Sequence, residues 1–178
     1  KLDPSHLDVV AFARDGASLE GQSPLSELPR LLDEQVAGVL QAGPVVWHLE
    51  GRLVPQSGGP DQIWLDLQVS VALPMQCQRC LTPVLERVAA ERSFRFVADE
   101  ATAAALDDEA EEDILVISRD FDALALVEDE LILALPLVPL HEVCPQTMPM
   151  SAVDPDFEST AAKPNPFGVL AGLKTGKS

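Results

Sequence analysis

Two stretches decide the fold class: VVWHLEGRL at residues 45–53 and IWLDLQVSV at residues 63–71. Apart from Gly51, the odd-numbered positions of both carry apolar side chains, and in the first stretch the polar His48, Glu50 and Arg52 lie between them. Alternation with a period of two residues is typical of strands that bury one face. Because the connector PQSGGPD is rich in turn-forming residues, the two strands are predicted to form an antiparallel hairpin.

Further short elements are predicted on both sides of this hairpin. A longer helix is expected over 122–135, capped by Asp120 or Asp122, because apolar side chains recur there at helical spacing. Together the elements predict an α+β fold: a mainly antiparallel sheet with a central hairpin and one or two packed helices. The remaining elements are, in chain order, a strand at 7–12, a helix at 27–35 capped by Ser26, an extended segment at 85–99 and a strand at 114–118.

The composition divides the chain into a domain and a tail. A single α+β domain is predicted over 1–148, with a mobile acidic loop at 99–113, where the sequence is acidic, alanine-rich and poor in large apolar side chains. Residues 149–178 are rich in proline and small polar side chains, and they are predicted to form a flexible tail. Its segment KPNPFGVLAGLK at 163–174 suits a short helix, either docked on a partner or packed on its own domain.

Charge restricts the classes of partner. The chain of 178 residues carries 29 acidic and 12 basic side chains, a formal net charge of −17. A field of this sign repels phosphate backbones and disfavours nucleic-acid binding by counterion release, whereas it attracts basic proteins. The candidate contacts to RNA or to a partner come from the locally basic stretch at 77–98 and from the tail: Arg79, Arg87, Arg92, Arg95, Phe167 and Lys174.

The sequence predicts a cytoplasmic protein without a membrane segment. No apolar run approaches the roughly 20 residues that span a bilayer, and no signal-peptide pattern opens the chain. Three cysteines, two of them in a C-x-x-C motif, do not make a disulfide framework. They favour a reducing compartment and a metal or redox site.

The sharpest local pattern is Cys77-x-x-Cys80, with His141-x-x-Cys144 later in the chain. Two ligand pairs at this spacing are how a chain presents a tetrahedral zinc site, and three thiolates with one imidazole would form a closed, structural site. The spacing leaves open the alternative of a turn with two small buried residues. A thioredoxin-like redox motif is disfavoured, because Pro83 suits the helix of such a motif poorly.

The sequence shows no recognisable set of catalytic residues. It contains no Gly-rich phosphate loop, no G-x-S-x-G and no H-E-x-x-H motif. The run Glu128-Asp129-Glu130 lies on the predicted helix, where consecutive side chains point in different directions. This run is therefore predicted to be a solvated helix face and not an acid/base pair.

Three blocks of the sequence resemble those of the bacterial YceD family, whose members are described as large ribosomal RNA subunit accumulation proteins. The blocks are CQRCLTPV at 77–84, VEDELILALPLVPLHEVC at 127–144 and KPNPFGVLAGLK at 163–174. The resemblance covers most of residues 7–174, and all four cysteine and histidine positions keep metal-ligand residue types. It implies a role in the synthesis, processing or stability of 23S rRNA, and hence in assembly of the large ribosomal subunit.

The residues and the resemblance together predict a non-enzymatic ribosome-biogenesis factor. Its partner is expected to be a ribosomal protein or a large-subunit assembly factor, with direct contact to rRNA as a secondary mode. One structural zinc ion is the expected cofactor. The alternative is an enzyme acting on RNA, either redox-active through the C-x-x-C motif or metal-dependent.

Overall fold

The computed structural model describes residues 2–107 and 110–146. Its described part contains one five-stranded sheet in which the strands follow chain order. Strands β1 to β4 pair antiparallel with their neighbours, and β5 pairs parallel with β4. The predicted α+β fold with a mainly antiparallel sheet is confirmed. The strands are Ser18–Ser23 (β1), Val45–Val54 (β2), Gln62–Gln76 (β3), Pro83–Val97 (β4) and Asp113–Val116 (β5).

Four α-helices and one short 3₁₀ turn accompany the sheet in the described residues. Helix α1 packs against β2 and β3, α4 packs against β3 and β4, and α2 packs against α4. No described helix is long and apolar enough to cross a bilayer. The helices are Val9–Arg14 (α1), Pro29–Asp33 (α2), Glu100–Asp107 (α3) and Ala123–Leu133 (α4), and the 3₁₀ turn is Leu25–Glu27.

The predicted hairpin is confirmed, and it extends further than the alternation indicated. Leu49 of β2 lies opposite Leu67 of β3, and both side chains are fully buried against the helices. Beyond the predicted end at 71, β3 continues to Gln76 and stays paired with β4 as far as Pro83. This extension carries the C-x-x-C motif to the far end of a long two-stranded ladder.

The prediction of a strand at 7–12 was wrong, because Val9–Arg14 form helix α1. The Asp8 carboxylate accepts hydrogen bonds from two backbone N–H groups of the first turn, at 3.0 and 3.1 Å, and so caps the helix. Gly51 of β2 makes room for the helix: a Cβ at this position would lie 2.6 Å from Cδ1 of Phe12. A short apolar run suits a helix or a strand, and the cap decides between them.

The prediction of a loop at 99–113 was wrong for residues 100–107, which form α3. The Asp99 carboxylate accepts a hydrogen bond of 2.8 Å from the N–H of Thr102, as a helix cap does. Scarcity of apolar side chains favours a loop, but the alanines of this segment have the highest helix propensity and favour the helix. The domain boundary at 148 stays a prediction, and the tail predicted at 149–178 lies outside the described residues.

Two further helices were predicted, and the structure confirms one of them and interrupts the other. Helix α4 is confirmed with Asp122 as its cap, the carboxylate accepting two N–H hydrogen bonds of 3.0 Å. The helix predicted at 27–35 is broken into the 3₁₀ turn and α2, which begins at Pro29. Ser26 was wrongly predicted as the cap, because it lies inside the 3₁₀ turn and no side chain of the flanking residues caps α2.

Candidate metal centre

The four predicted ligands come together at the end of the β3–β4 hairpin. Cys77 and Cys80 lie in the turn between these strands, and His141 and Cys144 lie in the segment that follows α4. Their sulfur and ring-nitrogen atoms are all within 4.8 Å of one another. Around a zinc ion with bonds of about 2.3 Å, tetrahedral sulfur ligands are about 3.8 Å apart. The cluster is therefore close to the dimensions that a tetrahedral site needs.

Backbone hydrogen bonds close the turn that carries the two cysteines. The N–H of Cys77 donates to the carbonyl of Thr82 at 3.0 Å, and the N–H of Leu81 donates to the carbonyl of Cys77 at 2.8 Å. Leu81 has a φ of +59°, in the left-handed region. A residue other than glycine costs about 1–2 kcal/mol there. The turn therefore keeps a compact but strained backbone directly beside Cys80.

The segment after α4 is joined to this turn by direct contacts. The N–H of Gln78 donates to the carbonyl of Pro139 at 2.9 Å, and the N–H of His141 donates to Sγ of Cys77 at 3.5 Å. Sγ of Cys80 lies 3.4 Å from Nδ1 of His141. The protein's own contacts thus place the two ligand pairs side by side.

The surroundings of the cluster favour thiolate at two of the three cysteines. Burial raises the pKa of the Cys77 thiol, but hydrogen bonds from the backbone N–H groups of Cys80 and His141 outweigh burial and lower it to about 5. Hydrogen bonding to Thr82 lowers the pKa of Cys80, whereas burial raises that of Cys144. The hydrogen bond to Cys77 raises the pKa of the His141 imidazole. Thiolate is the form of cysteine that binds metal.

This donor set fits zinc in a structural role. Three sulfurs and one imidazole nitrogen fill all four positions of a tetrahedral ion and leave none for water or substrate. Cys77 and Cys80 are buried, and His141 and Cys144 are half-buried. The arrangement can therefore hold an ion but offers no open coordination position for catalysis.

The geometry does not support a thioredoxin-like role for the C-x-x-C motif. Such a motif follows a strand and opens a helix, whose N-terminus stabilises the thiolate. Here Cys77 and Cys80 lie in a turn between two antiparallel strands, and Pro83 begins β4 instead of a helix.

The arginines that the sequence singled out are dispersed over the domain. Arg87 and Arg95 are on the other face of β4 from Arg92, in register with Ala72 and Trp64 of β3. Arg92 is on the face covered by the helices, and Arg79 is in the cysteine turn. The structure therefore does not bring these four into one basic patch, and the other two candidate contacts, Phe167 and Lys174, lie outside the described residues.

Two of these arginines already face carboxylates. Nε of Arg92 lies 3.3 Å from Oε2 of Glu130, and Nη1 of Arg95 lies 3.6 Å from Oε1 of Glu112. An arginine paired with a carboxylate attracts a phosphate group less strongly, because the neighbouring negative charge opposes the approach. Their positions give little support to a common RNA-binding surface.

The prediction of a solvated face at 128–130 was wrong for two of its three residues. Glu128 and Glu130 are only 5% and 6% exposed. One oxygen of Glu128 accepts hydrogen bonds from the backbone N–H groups of Arg30, at 2.7 Å, and Leu31, at 3.1 Å. The Arg30 guanidinium also pairs with Glu128 at 2.9 Å. Glu128 thus caps the N-terminus of α2 from another helix, a role that sequence reasoning missed.

A weak signal for this contact exists in the sequence. Pro29 is a favoured first residue of a helix, yet no Ser, Thr, Asp or Asn stands immediately before it at Leu28. A helix start without a local cap needs acceptors from elsewhere in the fold. The sequence alone does not say which of the many carboxylates supplies them.

Comparison with known proteins identifies the family. Residues 65–174, which include all four members of the cysteine–histidine cluster, match the family model described as large ribosomal RNA subunit accumulation protein YceD. A Haemophilus influenzae protein of the same description is 33% identical over 177 residues, which cover 96% of this chain and 95% of that protein. No solved structure matches the chain. From the family match and the near-complete coverage of this relative, the chain belongs to the YceD family.

Proposed function

We propose that this protein is a non-enzymatic factor for biogenesis of the large ribosomal subunit, required for the synthesis, processing or stability of 23S rRNA. The observation that carries the proposal is the similarity, over nearly the whole of both chains, to the Haemophilus influenzae protein described as a large ribosomal RNA subunit accumulation protein. Its place of action would be the cytoplasm, where large subunits assemble.

Charge supports action through protein contacts more than through RNA. The net charge of −17 repels phosphate, and residues 2–146 contain no lysine. Two of the four arginines of the basic stretch face carboxylates. A ribosomal protein or a basic assembly factor would instead be attracted to this surface, and the attraction would also accelerate the encounter.

We infer that the cluster of Cys77, Cys80, His141 and Cys144 holds one structural zinc ion. The donor set and the mutual distances support this role, and so does the hydrogen bonding that favours thiolate at Cys77. The ion would join the hairpin turn to the segment after α4. The closed donor set supports a role in shape and not in chemistry, consistent with a factor that works by binding.

The decisive experiment is depletion of this protein from its own cells, followed by measurement of the ratio of 23S to 16S rRNA and mapping of precursor ends. We expect a selective loss of 23S rRNA, restored by the wild-type chain supplied from a plasmid. An unchanged ratio after verified depletion would contradict the proposal. Restoration by a variant that lacks zinc would show that the ion is dispensable for this role.

A further inference from the structure

The segment between α4 and the metal cluster exposes large apolar side chains. Leu137 is 99% exposed, Val143 85%, and Leu133, the last residue of α4, 74%. Scattered single apolar residues are normal on a surface, whereas a group of them marks an interaction site. Val138 and Leu140 of the same segment are also exposed, as is Leu81 of the cysteine turn.

Part of this surface forms a groove. Leu133 and Leu137 line a cavity of about 550 Å³ together with Val36, Met75 and neighbouring residues of the hairpin end. A volume of this size is typical of sites that take a ligand or a short peptide segment. The groove could therefore receive one or two apolar side chains of another protein.

The wall formed by this segment is already held in place. Pro136 and Pro139 restrict its backbone, and the carbonyl of Pro139 accepts the hydrogen bond from the N–H of Gln78. Further along, the N–H of His141 contacts Sγ of Cys77. A preformed wall loses little conformational entropy when a partner binds, which favours affinity.

The charged side chain that lines the groove is acidic, and so are two charged residues close to its lining residues in the chain. Glu34 lines it, Asp33 ends the adjacent α2, and Glu142 stands between His141 and Val143 in the exposed segment. The cysteine turn contributes one cation, Arg79. This local excess of negative charge has the same sign as the whole chain and would attract basic groups on either side of an apolar anchor.

We propose that this groove docks a basic protein segment anchored by leucine or phenylalanine side chains with lysines or arginines beside them. The apolar walls select the anchors, and the acidic rim selects the flanking cations. RNA lacks apolar side chains to fill the groove, and its phosphates would meet the acidic rim. The inference rests on the proposed function, for which it supplies the contact surface.

The test is photo-crosslinking in cells, with benzoylphenylalanine in place of Leu137. The matched control carries the same group in place of Val39, which is 97% exposed, precedes β2 and does not line the groove. We expect crosslinks at residue 137 that map by mass spectrometry to a lysine- or arginine-rich segment with apolar residues, and about tenfold fewer to that segment at residue 39. The proposal would be overturned by crosslinks to RNA, to a second copy or to residues 147–178 of the same chain. The absence of crosslinks at residue 137 would also overturn it.

The mapped segment is then synthesised, and its affinity for the purified full-length protein is measured. Leu137→Asp should weaken binding at least about tenfold, whereas Val39→Asp should leave it unchanged. Equal binding by the two variants would overturn the proposal. The outcome is separable from the proposed function: a lost 23S signal on depletion without crosslinks at residue 137 refutes the docking site alone. A mapped basic segment with an unchanged rRNA ratio refutes the function alone.

Discussion

The cysteine–histidine cluster and the Glu128 carboxylate both join α4 or the segment after it to a distant part of the chain, but by different chemistry. The cluster gathers four side chains whose natural complement is an ion from outside the protein. Glu128 completes its contact with Arg30 and Leu31 from the chain's own donors. The difference teaches that, with the proposed ion, one end of the domain would depend on metal supply, whereas the start of α2 would not.

The largest expected effect comes from Cys80→Ser. Loss of one of four ligands should reduce bound zinc from about one ion per chain to near zero and lower the free energy of unfolding by at least about 3 kcal/mol, since binding energy of a structural ion is folding energy. Metal analysis and denaturant unfolding, with and without a chelator, measure both quantities.

The control for this variant is Arg79→Ser in the same turn, which removes no ligand and should retain both metal and stability. Cys80→Ser with unchanged metal content and melting would refute the zinc site. It would also remove the distinction drawn between the two ends of the domain.

Glu128→Ala should have the second largest effect, about 2 kcal/mol of lost stability. The substitution leaves the Arg30 and Leu31 N–H groups without their acceptor, and removal of a helix cap costs up to about 2 kcal/mol. Denaturant unfolding should show this loss equally with and without a chelator, because the contact is independent of metal.

Asp129→Asn is the matched control for Glu128→Ala. Its side chain is about half exposed and its contact is with the partly exposed Arg30 guanidinium, so the expected loss is below about 1 kcal/mol. Equal losses for the two variants would contradict the capping role of Glu128.

The smallest effect is expected from Leu81→Gly. Glycine adopts the φ of +59° without a steric penalty, so relief of strain should raise the free energy of unfolding by about 0.5 kcal/mol. Leu81→Ala keeps a Cβ and should give no gain. Thermal melting of the zinc-loaded protein distinguishes the two, and an equal shift for both variants would show that the turn is not strained.

The sequence predictions were correct where a pattern was regular over many residues or where the residue type was rare. The period-two alternation at 45–53 and 63–71 recurs over many residues, so it identified the hairpin on which the whole sheet is built. Cysteines are rare, and their paired spacing with His141 was enough to predict which four residues the fold brings together. These two signals account for the correct fold class and for the candidate metal site.

The failures arise where a common residue type has a role that depends on tertiary contacts. Glu128 resembles any other acidic residue of the sequence, and only the packing of α2 against α4 reveals its acceptor role. The apolar run at 7–12 suits a strand as well as a helix, and the Asp8 cap decides for helix α1. Arg92 as a contact to RNA or to a partner stays a prediction, and its ion pair with Glu130 of α4 is a tertiary contact that the sequence does not indicate.

The order of the strands has a consequence for how the chain folds during its synthesis. Because β1 to β4 pair with their sequence neighbours, each can join the sheet soon after it leaves the ribosome, and such local pairing favours rapid folding. The cluster needs Cys144 as well as Cys77, so capture of the proposed ion waits until nearly all of the described chain has emerged. The metal would then bind late, after the hairpins have formed. Formation of the hairpins would therefore not depend on the supply of zinc.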